Sequence, residues 1–274
     1  MNGYENKRVV LKYGSEGLTD SGGVNEDVIR CIVEDVNKLS KAGYGVAIVT
    51  SGALSIGTEI VGLWDIPSNP VKRRVLSGAG QRELISIYQK HFGRTLVVQG
   101  LVTEDNFKNA KAMADIQDSI LETWSIGAIP IFNYNDYVAY DELDAESKLN
   151  GNDHTAYMIA EAMGAGTLAL FTNVDGLYTA NPNSNPEARL ISHVCNITDE
   201  IRCIAMGDCS SVGTGGMETK VKYCWDFVSA KPGERKAYIL SINKPGLITD
   251  VLLNGARHGT EFYCKAKGGV TIGN

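Results

Sequence analysis

Two lysines and one aspartate stand where the sequence could handle an anion. Lys12 ends a short apolar run, Val9-Val10-Leu11, and is followed closely by Gly14 and Ser15. Lys220 closes the stretch Ser211-Val212-Gly213-Thr214-Gly215-Gly216-Met217-Glu218-Thr219-Lys220, in which three glycines fall within four residues. Such a backbone is free to take positive φ and to approach a ligand closely. Met217, Val221, Cys224, Trp225 and Val228 then recur at helical spacing, so a flexible turn feeds a helix N-terminus whose amides and dipole attract negative charge. A lysine in the first turn opposes that dipole, which a bound anion explains better than helix stability does. Phosphate is the expected anion; a glycine-rich surface turn before an ordinary helix is the competing reading. The stretch is not a Walker A loop, and no Gly-x-Gly-x-x-Gly follows the first strand. Asp153, in Gly151-Asn152-Asp153, opens another helix; as a plain N-cap it would contribute about 1 kcal/mol. Two cations, a carboxylate to fix their geometry and amide-rich turns form the inventory that phosphoryl transfer needs.

The elements that must position these residues alternate between strand and helix. Apolar runs predict buried strands over 8–12, 45–50, 95–101, 128–132, 167–172 and 236–242. Helical periods predict helices over 25–41 (capped by Asn25), 70–91, 110–125, from 199, and over 217–230, with further helices opening after Thr50-Ser51-Gly52-Ala53 and at Gly151-Asn152-Asp153. Gly78-Ala79-Gly80 marks a possible break in the second of these, and residues 14–17 read as a loop. Strand–helix–strand order implies right-handed crossovers and a parallel sheet, whose ligands sit at the carboxyl strand ends. At such an end lie the small residues Ser51, Gly52 and Ala53, and at another the amides and carboxylate of Asn133-Tyr134-Asn135-Asp136. Tight-turn chemistry would give the same composition at the latter. Residues 137–150 are acidic and fit a hairpin or a lid. One α/β/α domain, with two lobes meeting at a cleft, is the simplest architecture.

Composition narrows the partners. With 274 residues, 43% apolar and 21% charged, the chain can bury a substantial core. A net charge of −6 argues against a general nucleic-acid or anionic-membrane surface, so a phosphate site must be a local positive pocket. The six cysteines (Cys31, Cys195, Cys203, Cys209, Cys224 and Cys264) form no Cys-x-x-Cys pair, suggesting core packing in a reducing cytoplasm. A polar start and the lack of a spanning apolar run lead to the expectation of a soluble cytoplasmic protein.

Seven stretches in order resemble the amino acid kinase family, and within it the glutamate 5-kinases. They are Val10-Leu11-Lys12-Tyr13-Gly14-Ser15, Val49-Thr50-Ser51-Gly52-Ala53, Gly80-Gln81, Asn133-Tyr134-Asn135-Asp136, Gly151-Asn152-Asp153, Gly176-Leu177-Tyr178-Thr179-Ala180-Asn181-Pro182 and Gly213-Thr214-Gly215-Gly216-Met217-Glu218-Thr219-Lys220. The resemblance implies a mainly parallel sheet of about eight strands between helical layers. It implies an amino-acid lobe over about 1–165 and a nucleotide lobe over 166–274; many bacterial relatives carry an RNA-binding-like PUA domain as well, for which the 274 residues are expected to be too few. It implies ATP-dependent phosphorylation of the glutamate side-chain carboxylate, the first step of proline synthesis, with Mg²⁺ bridging the nucleotide phosphates and no side-chain metal site.

By position Lys12 and Lys220 would stabilise the phosphoryl group in flight, and Asp153 would orient them. Ser51, Gly52, Ala53, Asp136 and Asn152 would bind glutamate. Lys12, Gly14, Ser15, Thr172, Asn173, Gly176, Tyr178, Thr214, Gly215, Gly216, Met217 and Lys220 would hold the nucleotide. Feedback inhibition by proline and a homodimeric or homotetrameric state are further implications. The acceptor carboxylate ionises well below neutral pH, so no general base is needed; His91, His154, His193 and His258 match no catalytic position and fit surface or packing roles. Three positions depart from the family pattern: Glu16 replaces a hydroxyl residue, Gly151 an acidic one and Asn173 an aspartate. They keep open a kinase with another acceptor, and beyond it a non-catalytic sensor.

Overall fold

The computed structural model describes residues 7–20, 23–138, 151–206 and 216–266. In chain order the elements are β1 (Arg8–Lys12), α1 (Ser15–Leu18), β2 (Thr19–Asp20), β3 (Gly23–Val24), α2 (Glu26–Lys41), β4 (Gly45–Val49), α3 (Ala53–Ile60) and α4 (Pro70–Phe92). Then follow β5 (Val97–Val102), α5 (Glu104–Lys108), α6 (Ala110–Ser125), β6 (Ile129–Tyr134), α7 (Asn152–Ala162) and β7 (Thr167–Thr172). β8 (His193–Val194), α8 (Asp199–Met206), α9 (Gly216–Ala230), β9 (Lys236–Ser241), α10 (Leu247–Asn254) and β10 (Thr260–Tyr263) complete it.

Eight strands form one sheet in the order β5-β6-β4-β1-β7-β9-β10-β8. All neighbours are parallel except β9 and β10, which pair antiparallel. The inner strands β4, β6, β1, β7 and β9 are buried on both sides, which explains their continuous apolar runs. Alternation then divides them between two cores. Val9, Leu11, Val46, Ile48, Ala169 and Phe171 face α2, α3 and α4. Val10, Ala47, Val49, Leu168 and Leu170 face α6, α7 and α9. The chain is therefore a three-layer α/β/α sandwich, as expected. Lys12 shares the parity of Val10, so the pleat directs it toward the α7 and α9 side.

The chain leaves β1 toward β4 on one side and later enters β7 on the other, making β1 and β7 the topological switch point where open α/β sheets bind ligands. Register aligns the carboxyl ends along one edge: Lys12 pairs with Val49 and Leu170, Val49 with Phe132, and Thr172 with Ser241.

Several expectations need correction. Residues 15–18 form a helical turn, α1, with Gly14 as its N-cap. α4 runs unbroken through Gly78-Ala79-Gly80, started by Asn69, which accepts from Lys72 N at 3.0 Å, and by Pro70 in its first turn. Its glycines serve packing instead: a Cβ on Gly80 would be driven into the Ala53 carbonyl oxygen, and one on Gly57 of α3 into that of Leu76. β6 extends through Asn133 and Tyr134, which are buried. β2, β3, α5, β8 and β10 are too short to show a period in the sequence, and α10, whose Leu247, Ile248, Val251 and Leu252 fall at helical spacing, lies in a stretch that the sequence reading leaves unassigned. Among the described cysteines only Cys224 is buried, while Cys195 and Cys203 are exposed. Of the region expected to form a hairpin or lid, 139–150 lies outside the described residues, as does 211–215 of the glycine-rich turn. Among the described residues no helix is long and apolar enough to cross a membrane.

Candidate active site

The α7 N-terminus opens at Gly151, whose backbone is extended and which offers no side-chain cap. Asp153 therefore sits inside the first turn rather than at the N-cap, and its carboxylate is used elsewhere. Oδ1 lies 2.7 Å from Lys12 Nζ, and Oδ2 accepts from Lys220 Nζ at 3.1 Å. Thr219 Oγ1 donates to the same Oδ2 at 2.8 Å. Lys220 Nζ also donates to the Gly216 carbonyl at 3.1 Å, which holds the ammonium over the start of α9. Lys12, Asp153 and Lys220 are 6%, 6% and 8% exposed, so all three charges sit in a low-dielectric environment. Burial alone would raise the Asp153 carboxyl. The Lys12 and Lys220 ammonium groups outweigh that effect, with help from hydrogen bonds, and hold its pKa at about 2.

One carboxylate between two ammonium groups leaves an excess positive charge, and a glycine stands close to each ammonium group. A Cβ at Gly14 would lie 3.4 Å from Lys12 Nζ, and one at Gly216 3.5 Å from Lys220 Nζ. Either side chain would take up space beside an ammonium group. The residues present thus suit a phosphate chain in charge, and the glycines keep side chains away from both ammonium groups.

The expected acceptor residues gather on the β4–β6 side. Gly52 caps α3 with φ 99°, a left-handed backbone that favours glycine, and provides no side-chain cap. Ser51, which precedes it, is half-buried beside Thr50, whose hydroxyl meets Tyr88 OH at 3.1 Å. Ala53 begins α3 and is buried. Asn152 opens α7, and its Oδ1 is buried without a hydrogen-bond partner, an orphan acceptor that an ammonium or amide donor would satisfy. Asp136 accepts a short hydrogen bond from Ser77 Oγ of α4.

The expected nucleotide residues lie on the β7 side. Thr172 Oγ1 donates to Asn173 Oδ1 at 3.4 Å, and the Asn173 carbonyl accepts from Asn243 Nδ2 at 3.0 Å. Tyr178 OH donates to Asp175 at 3.3 Å, and Lys244 pairs with the same carboxylate at 2.6 Å. Gly176 is buried, and a Cβ there would crowd Thr260 Oγ1 at 2.7 Å, so packing against β10 already requires its small size. Ser15 starts α1, and Met217 is partly buried against the core. Thr214 and Gly215 lie outside the described residues. Sequence reasoning gave no role to Thr219, Ser77 or Gln81, although Thr219 and Gln81 sit inside quoted motifs. The histidines stay out of this site: His154 packs between Phe107 and Tyr223 with Nδ1 3.2 Å from Glu104, and burial lowers its pKa. Among the described residues no group of three or more His, Cys, Asp or Glu side chains is placed to hold a metal ion.

A parallel α/β sheet that clamps two lysines with one carboxylate at its switch point has the form of a phosphoryl-transfer enzyme. The chain belongs to the amino acid kinase family, whose pattern matches residues 7–241. It is 34% identical over 272 residues to a glutamate 5-kinase of Dehalococcoides mccartyi, covering 96% of this chain and 70% of that one. It is 34% identical to a glutamate 5-kinase of Streptococcus thermophilus (79% and 82% covered) and to one of Escherichia coli (96% and 70%). The fold is shared with a UMP kinase of Bacillus anthracis at TM-score 0.62 and 18% identity, covering 94% of this chain and 96% of that one. It is also shared with a T. acidophilum isopentenyl phosphate kinase at TM-score 0.60 and 18% identity, covering 93% and 99%.

Proposed function

We propose that this chain transfers the γ-phosphoryl group of ATP to the side-chain carboxylate of L-glutamate, giving L-glutamyl 5-phosphate and ADP, the first step of proline biosynthesis. The buried Lys12–Asp153–Lys220 cluster carries this reading. As the phosphoryl group leaves the β-phosphate, negative charge spreads over its oxygens and the bridging oxygen. Two ammonium groups fixed in advance by one carboxylate meet that charge without reorganising. The acceptor carboxylate attacks already ionised, so no side chain need remove a proton.

Lys12 and Lys220 contact the transferred group, and Asp153 fixes their positions. Ser51, Gly52, Ala53, Asp136 and Asn152 take the amino acid, with Asp136 facing its ammonium. Gly14, Ser15, Thr172, Asn173, Gly176, Tyr178 and residues 214–217 take the nucleotide. Residues 1–165 thus serve as the acceptor lobe and 166–274 as the nucleotide lobe. Mg²⁺, carried on the ATP phosphates, supplies further charge neutralisation. A cytoplasmic location, a homo-oligomeric state and proline as a feedback inhibitor accompany this assignment.

The test is incubation with Mg²⁺-ATP, L-glutamate and hydroxylamine, following γ-glutamyl hydroxamate and ADP together. Hydroxamate rising in step with ADP, and absent when aspartate replaces glutamate, is the expected result. ADP without hydroxamate would mean ATP hydrolysis or a different acceptor, and neither product would refute a kinase.

A further inference from the structure

Resting on that reading, we infer that one face of α4, carrying Ser77 and Gln81, sets acceptor specificity by orienting the polar end of β6. The two residues are one helical turn apart, so their side chains share a face. Ser77 is 3% exposed and donates a hydrogen bond to Asp136 Oδ2, the carboxylate assigned to the substrate ammonium. Gln81, 8% exposed, accepts from Asn133 Nδ2 at 2.8 Å.

The direction of the second contact is fixed from the strand side. Asn133 Oδ1 accepts the Tyr134 backbone N–H at 2.8 Å, so its amide can offer only Nδ2 to Gln81. Gln81 must then present its carbonyl oxygen to Asn133, which leaves its Nε2 as a buried donor with no hydrogen-bond partner. A buried donor lacking an acceptor is costly unless a ligand or water supplies one. Ser77, Gln81, Tyr134, Asn135 and Asp136 line a cavity of about 390 Å³, within the usual range for small-molecule sites. α4 is itself held rigidly, because Gly80, next to Gln81, abuts the carbonyl of Ala53 at the start of α3. Ser77 and Gln81 are thus positioning residues acting through Asp136 and Asn133, remote from the transferred phosphoryl group.

The experiment compares wild type, Ser77→Ala, Ser77→Thr and Gln81→Leu with L-glutamate and with glutarate, which lacks the ammonium. If the wild type makes no hydroxamate, the proposed function fails before this inference is reached. With an active wild type, Ser77→Ala should raise KM for L-glutamate about tenfold, leaving kcat and KM for ATP within twofold. The preference for L-glutamate over glutarate should shrink by a similar factor, and Ser77→Thr should restore both. Gln81→Leu should raise KM for both acceptors alike, since the ammonium contact remains. An unchanged glutamate-to-glutarate preference in Ser77→Ala would overturn the inference, as would a loss confined to kcat or to melting temperature.

Discussion

Asp153→Asn tests the clamp most directly. The amide keeps the volume and can still accept from Thr219, but two buried ammonium groups then face each other without a counter-charge. With the carboxyl held at about 2 against a usual 3.8, ionised Asp153 contributes about 2 kcal/mol to stability at neutral pH, net of its burial cost. Leaving the lysines uncompensated adds to that loss, and removing one partner of a buried ion pair typically costs about 3–5 kcal/mol. We therefore expect urea unfolding at pH 7 to show a loss of about 3–5 kcal/mol. The pH dependence follows from the sign of the shift. The folded value lies below the unfolded one, so the contribution is complete above about pH 5. It is lost as pH falls toward about 2, where the carboxyl protonates in the folded state as well. The difference between wild type and variant should therefore narrow from pH 5 downward. In the hydroxamate assay kcat should fall about 10²–10³-fold, the scale of losing one preorganised electrostatic element. A variant within threefold of wild-type kcat and less than 1 kcal/mol less stable would refute the clamp.

Lys220→Ala should remove most turnover, about 10²-fold or more in kcat, while the fold persists because Asp153 keeps Lys12. Wild-type-like turnover would sink the role of Lys220. Gly80→Ala should destabilise by about 1–3 kcal/mol in urea unfolding, because the Ala53 carbonyl leaves no space for a methyl group. Helix propensity alone predicts a gain of about 1 kcal/mol, so the sign of the change decides between the two effects.

The core strands could be read from the sequence because each is a continuous apolar run buried on both faces. β1, β4 and β7 match their runs to within a residue. α4 shows where such reading stops. Locally its glycines look like a break, and only the carbonyl oxygens of α3 and α4 reveal that a Cβ would not fit. The site divides in the same way. Lys12, Asp153 and Lys220 stood out because each is a charge at a strand or helix end close to a glycine-containing turn, and Lys220 opposes the dipole of its own helix. Ser77 could not: a serine inside a helix acquires meaning only from Asp136, 59 residues later. Asp153 resembled an N-cap because local sequence cannot tell a first-turn carboxylate bonded to its own helix from one turned toward another.

The clamp also has a kinetic consequence. Asp153 and Lys220 are 67 residues apart, Lys12 lies far upstream of both in the first strand, and β1, α7 and α9 each bring one of them. Closing such long loops is entropically slow and is rewarded only once the sheet has joined. During refolding, helices should therefore appear before any turnover does. Regained activity should track the slowest folding phase, making each active molecule a report that three distant segments of the chain have met.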